Sequence, residues 1–265
     1  MRLLRAELLK LRTTRLWLVL SAVALVMWAV ALLFNALIVR ADRDVEVPDP
    51  SAVLVGYLNY WTSGYLVSMT VALVLGTTVM TAEFQHRTAL ATFLVSPHRT
   101  PVLLAKSAAA AIGGLLLWAG TTLLTLAASP LALPDGDPRA VGPTHPDVWP
   151  AIVLSGLTFA LWAMLGVGVG ALVRHQAGAA ALALGVNFAG TLALVAAVAG
   201  LAALLGEGVV RALTAVPAVA SAMLVFGGGG DDGLPPRWVL ALVLVGWAVL
   251  ATVVGAVLVR RRDVG

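Results

Sequence analysis

The chain has 265 residues, of which 60% are hydrophobic and 11% are charged, and it contains no cysteine. Disulfide bonds and thiolate metal sites are therefore excluded. Lys and Arg together number 17 against 13 Asp and Glu, a net charge of +4, and nucleic-acid binding is not predicted because the charges follow the pattern of a membrane protein.

Six long apolar segments predict an all-α integral membrane protein with six transmembrane helices in a single domain, 1–265. A helix needs about 20 apolar residues to cross about 30 Å of hydrocarbon, and its backbone groups must be paired internally. Apart from Lys106, about one turn into the third segment, none of the six contains a charged residue. The predicted spans are 16–39, 61–81, 102–128, 149–173, 177–205 and 238–259.

The charges separate to the two sides of these spans. With the N-terminus in the cytoplasm, the inner segments hold 12 of the 17 basic residues and three acids, whereas the outer segments hold five arginines and ten acids. Excess Lys and Arg marks the cytoplasmic side, so both termini are predicted to be cytoplasmic. The first span is predicted to be retained, because it is too long for the apolar region of a signal peptide and no small-x-small site ends it.

Residues 1–15 predict a basic amphipathic helix on the inner membrane surface. Leu4, Leu8 and Leu11 recur at helical spacing opposite Arg5 and Arg12, a pattern typical of interfacial helices. The alternative is a positive flank that only determines topology, since the apolar stripe is narrow.

The first outer loop, 40–60, is predicted to lack a helix because it contains Pro48 and Pro50. Tyrosines follow at the outer entrance of span two: Tyr57, Tyr60 and Tyr65 surround Trp61. Such a group is predicted to anchor the chain at the membrane–water interface.

The connection 83–97, between spans two and three, is the only long inner connection. Glu83, Arg87 and Thr88 fall on neighbouring helical turns, and Pro97 stops the helix before span three. The pattern predicts a short amphipathic helix suited to dock in a partner's groove and to carry its displacement into the attached spans. A solvated connector lying on lipid headgroups is the alternative.

Two features of the second half concern packing. Gly166 and Gly170 in span four predict a close approach between helices rather than a nucleotide-binding loop, which would need a preceding strand. Between spans five and six, the apolar stretch 212–226 is too short to cross the membrane and is interrupted by Pro217. It predicts an outer re-entrant or surface-lying helical hairpin.

Familiar catalytic and ion-coupling groups are absent from the sequence. The four histidines lie in predicted loops and form no HExxH motif or ligand-spaced pair. No span holds the Asp, Glu or His that usually binds a coupling ion, and neither lysine follows a glycine as a P-loop requires. We therefore expect no enzymatic activity, cofactor or metal in this chain, and an energy source on another protein.

Three short blocks resemble the type-2 ABC exporter permeases, a family of six-span subunits. The central block resembles the coupling loop of that family and reads Glu83-Phe84-x-x-x-Thr88, then Leu94-x-Ser96-Pro97-x-Arg99, then Ala105-Lys106. Residues 7–15 resemble the N-terminal signature of many such subunits, and residues 260–264 resemble their usual ending.

The resemblance implies a homo- or heterodimer of permeases in a bacterial plasma membrane, each contacting one copy of a separate ABC ATPase. Closure of the ATPases would push the coupling helices and open an outward path between the subunits. The residues expected in or beside the ATPase groove are Glu83, Phe84, Arg87, Thr88, Phe93 and Pro97. The residues expected to line the path, on spans two and five, are Thr70, Thr77, Asn187 and Thr191.

A path without charges suits export of a hydrophobic or amphipathic substrate. Two other functions remain open on the residues alone. One is a non-transporting integral membrane scaffold or sensor whose inner loop recruits a cytoplasmic partner. The other is an ion-coupled carrier, although its internal repeat and intramembrane charges are not visible.

Overall fold

The computed structural model describes residues 2–41, 49–62, 65–85, 99–132, 140–173, 175–205, 207–227 and 235–261. These parts of the chain are helical, with short connections and no strand, which confirms the predicted all-α class. Within them, five helices are long and apolar enough to cross a membrane. The protein is therefore an all-helical, membrane-embedded protein.

Ten α-helices form the described structure. They are α1 (Arg2–Thr13), α2 (Arg15–Ala41), α3 (Pro50–Trp61), α4 (Tyr65–Gln85), α5 (Arg99–Ala132), α6 (Val148–Leu172), α7 (Gln176–Gly185), α8 (Thr191–Leu205), α9 (Pro217–Phe226) and α10 (Arg237–Arg261). A π-helical turn, Val186–Gly190, joins α7 to α8, and a 3₁₀ helix, Glu207–Ala215, precedes α9. The five long helices are α2, α5, α6, the α7–α8 pair and α10.

Helix α6 lies at the centre and packs against α4, α5, α9 and α10. Its contact with α4 is close because both helices carry glycine where they cross. A Cβ added at Gly76 would overlap the carbonyl oxygen of Ala163, and one at Gly166 would overlap that of Leu73. At Gly170 an added Cβ would lie 2.7 Å from the Thr77 carbonyl oxygen. The predicted close packing at Gly166 and Gly170 is thus confirmed.

The outer loop contains a helix that the prolines were expected to prevent. Pro50 occupies the first turn of α3, where the missing N–H has no intrahelical partner to lose. The Asp49 side chain caps this turn, accepting a hydrogen bond of 3.0 Å from the Ser51 backbone N–H. The expectation of a helix-free loop over 40–60 was therefore wrong for residues 40–41, which end α2, and for residues 50–60.

The aromatic group at the α3–α4 junction is core rather than surface. Tyr60 and Tyr65 are fully buried, and Tyr57 and Trp61 are each only 2% exposed, in one cluster with residues of α2, α6 and α9. The Trp61 indole N–H donates to the Val141 carbonyl oxygen at 2.8 Å. Burial raises the pKa of the Tyr60 hydroxyl to about 12. These side chains tie helices together and do not sit as interfacial anchors.

The 3₁₀ helix packs against α8 and α10, and α9 packs against α6 and α10. Arg237, at the start of α10, donates to the Gly227 carbonyl oxygen after the end of α9. Further along α10, the Trp247 indole N–H donates to the Ala215 carbonyl oxygen at 2.9 Å. At 1.5 Å per residue, Trp247 lies about 15 Å along the helix from Arg237. The turn between the 3₁₀ helix and α9 therefore lies about 15 Å along α10 from the end of α9.

Candidate functional site

A cavity of about 530 Å³ lies between α4, α6, the α7–α8 pair, the 3₁₀ helix, α9 and α10. Its lining is apolar except for Asn187, Thr191 and the indoles of two tryptophans. Both indole N–H groups already donate within the protein, from Trp162 to Ser221 Oγ at 2.9 Å and from Trp247 to the Ala215 carbonyl. Asn187 and Thr191 are therefore the polar side chains through which the cavity can orient an occupant.

The π-helical turn carries Asn187 and ends immediately before Thr191. The sequence predicts one continuous helix over 177–205, whereas the structure has α7 ending at Gly185 and α8 beginning at Thr191. Gly185 precedes the turn and Gly190 is its last residue, and glycine lowers helix stability by about 1 kcal/mol relative to alanine. Single π-helical turns inside α-helices are frequent at functional sites.

Asn187 joins this turn to α4 but remains only partly satisfied. Its Nδ2 donates to Thr70 Oγ1 at 3.4 Å, near the limit of hydrogen bonding. Its Oδ1 is buried and has no hydrogen-bond partner among the described residues. A buried acceptor without a partner costs about 1–3 kcal/mol. The side chain, only 8% exposed, therefore contributes less to stability than a fully hydrogen-bonded amide would.

Three of the four predicted path residues come together at this cavity. Asn187 and Thr191 line it, and Thr70 lies behind Asn187 as its hydrogen-bond partner. Thr77 lies elsewhere, fully buried, with its hydroxyl donating to the Val74 carbonyl oxygen at 2.8 Å. It lies where α4 crosses α6 and does not line the cavity.

The predicted coupling segment falls mostly outside the described residues. Glu83 and Phe84 lie in the last turn of α4, although their side chains are outside the described part. The remaining four residues, which are Arg87, Thr88, Phe93 and Pro97, are not among those the structure describes. The assignment of 83–97 as a coupling helix stays a prediction.

A buried ion pair was missed by the sequence reasoning. Lys106 Nζ lies 2.8 Å from Glu7 Oε2, and the two residues are 1% and 6% exposed. The signal was available, because a lone lysine inside a predicted span requires an acidic partner. Glu7 is one of the three acids on the predicted inner side, but nothing local in the sequence pairs it with a residue 99 positions away.

No metal centre is visible among the described residues, where no group of three or more His, Asp or Glu side chains could hold an ion. Comparison with known proteins adds no family. No protein-family model matches the chain, and no curated protein matches it significantly.

Proposed function

We propose that the chain is the permease subunit of an ATP-driven ABC exporter and forms the membrane path for a hydrophobic or amphipathic substrate. The observation that carries the proposal is the apolar cavity at Asn187 and Thr191, two positions expected to line that path. Its volume, about 530 Å³, lies within the range of about 300–1,000 Å³ common to small-molecule sites. ATP hydrolysis belongs to a separate chain.

Six spans are proposed, with both termini cytoplasmic in a bacterial plasma membrane. The span proposed in addition to the five long helices is α4, the second in chain order, whose 21 residues extend about 31 Å as a helix. The bonds of Arg237 to Gly227 and of Trp247 to Ala215 support a re-entrant element, because they separate the end of α9 from the turn that precedes α9 by about 15 Å along α10. Helix α1 then lies at the inner surface.

The walls of the cavity favour entry from the bilayer rather than from water. Leu182, Leu194 and Trp247 are each between 40% and 45% exposed, although they belong to helices long enough to cross the membrane. Lipid tails, or a second permease copy, would cover such surfaces. An amphiphile moving in one leaflet would thus meet an apolar opening first and the Asn187 amide further in.

The coupling segment supplies the link to the motor. In this proposal 83–97 docks in the groove of the ATPase, and α4 and α5 carry its displacement into the bundle because they are the two helices that the segment joins. Leu73 of α4 lines the cavity, and Thr70 of α4 accepts a hydrogen bond from Asn187. Motion of α4 would therefore change the cavity directly.

The proposal is tested by co-expressing the chain with an ABC ATPase from the same genome and measuring association, ATP hydrolysis and uptake of a fluorescent amphiphile into inverted vesicles. Glu83→Ala and Phe93→Ala are expected to weaken association and abolish coupled uptake. Gln176→Ala, at the start of α7 and outside the segment 83–97, is the control and should retain both. Unchanged association and uptake in both test variants would refute the proposal and favour the scaffold or sensor.

A further inference from the structure

The buried pair of Glu7 and Lys106 connects three helices. Lys106 on α5 bonds Glu7 Oε2 on α1 at 2.8 Å and the Val79 carbonyl oxygen on α4 at 3.4 Å. The second carboxylate oxygen of Glu7 accepts from Lys10 at 2.7 Å. Lys10 is 46% exposed, so water reaches that side of the carboxylate, whereas Lys106 is enclosed.

These contacts lie close to both ends of the predicted coupling segment. Val79 lies less than two turns before the end of α4 at Gln85, and Lys106 lies about two turns after the start of α5 at Arg99. The chain between those two helices contains 86–98. Lys106 therefore bridges the helix that leads into the segment and the helix that leaves it, and it fastens α1 to both.

Stability alone does not account for a pair of this kind. A buried ion pair is often no more stabilising than apolar side chains of the same volume, but removing one partner strands a charge and is strongly unfavourable. The leucines of α1 are only partly buried at Leu4, Leu8 and Leu11. Apolar contacts of that kind permit several placements of a short helix, whereas the pair permits one.

We propose that Glu7 and Lys106 are positioning residues that dock α1 against α4 and α5 in a single register, so that the three helices move as one unit. The docking of α1 follows from the contacts of Lys106 with Glu7 and Val79. The statement that this unit transmits motion from 86–98 rests on the proposed exporter function. The pair is separate from the substrate cavity, because no residue lining the cavity comes from α1 or α5.

Docking can be measured in the full chain in membranes, because the sequence contains no cysteine to interfere. Leu11→Cys reports the docked face, since Leu11 packs against the core cluster around Leu103. Leu9→Cys is the matched control on the same helix, since Leu9 is 62% exposed. A hydrophilic maleimide applied to membranes opened on both sides should label the first cysteine slowly and the second rapidly.

Glu7→Gln is expected to raise the labelling rate of Leu11→Cys by at least about tenfold, because the ion pair that holds α1 against α5 is lost. The rate at Leu9→Cys should stay the same. In a Lys106→Met background the same Glu7→Gln change should alter the rate less than about twofold, since the partner is gone. No effect of Glu7→Gln, or an equal effect in both backgrounds, would overturn the docking.

Transmission is tested in the same variants after reconstitution with the ATPase. Glu7→Gln should lower the amount of amphiphile transported per ATP hydrolysed by roughly twofold to thirtyfold, while the ATPase still co-purifies. A purely structural role would lower expression without changing that ratio, and an unchanged ratio would overturn the transmission half. If Glu7→Gln raises the labelling rate with Lys106 present but not with Lys106→Met, and no ATPase associates, the docking holds and the exporter proposal fails.

Discussion

Replacing Asn187 with leucine should separate stability from transport. The change removes a hydrogen bond of 3.4 Å to Thr70 and also removes the buried, unpartnered Oδ1. A hydrogen bond between membrane helices contributes about 0.6 kcal/mol on average, whereas an unsatisfied buried acceptor costs about 1–3 kcal/mol. The cavity beside Asn187 has room for the larger side chain. The net expectation is a gain of roughly 0.5–2 kcal/mol in the free energy of unfolding.

The same variant should transport less, because the cavity loses the amide that can orient an amphiphile. Unfolding of the purified protein and uptake into inverted vesicles are measured side by side. Asn35→Leu is the matched control, since the Asn35 amide donates only to the Ala31 carbonyl oxygen of its own helix. A loss of stability in Asn187→Leu greater than about 1 kcal/mol would refute the reasoning, since the amide would then be a structural contact. Full transport would refute its role in the path.

Three further predictions concern packing and topology. Gly76→Ala should destabilise the protein by about 1–3 kcal/mol in thermal unfolding, because its Cβ would meet α6 backbone; Gly120→Ala, with nothing within 4 Å, should be neutral or slightly stabilising. Trp247→Phe removes the indole donor that bonds the end of the 3₁₀ helix, and it should lower the free energy of unfolding by about 1 kcal/mol. It should also speed hydrogen exchange in residues 207–215, as measured by mass spectrometry. Single cysteines at Gln85 and Ser51 should react with an impermeant maleimide from opposite sides of the membrane; labelling from the same side would contradict the proposed topology.

The sequence by itself determined the elements that are locally self-sufficient. An apolar segment of about 20 residues must be helical in lipid whatever surrounds it, because its backbone can be paired only within itself. The long helices α2, α5, α6 and α10 therefore follow the predicted spans closely. The close packing at the glycines of α6 was predictable as well, because two small residues four positions apart in a membrane helix allow a second helix to approach closely.

The tertiary structure decided which residues meet. The spans are apolar on every side, so their sequences do not indicate which face packs on protein and which faces lipid. Only the assembled bundle brings Glu7 to Lys106 and Asn187 to Thr70, across 99 and 117 residues. The burial of the tyrosines around Trp61 is decided in the same way, because a membrane-facing aromatic and a core aromatic have identical local sequences and differ only in their neighbours.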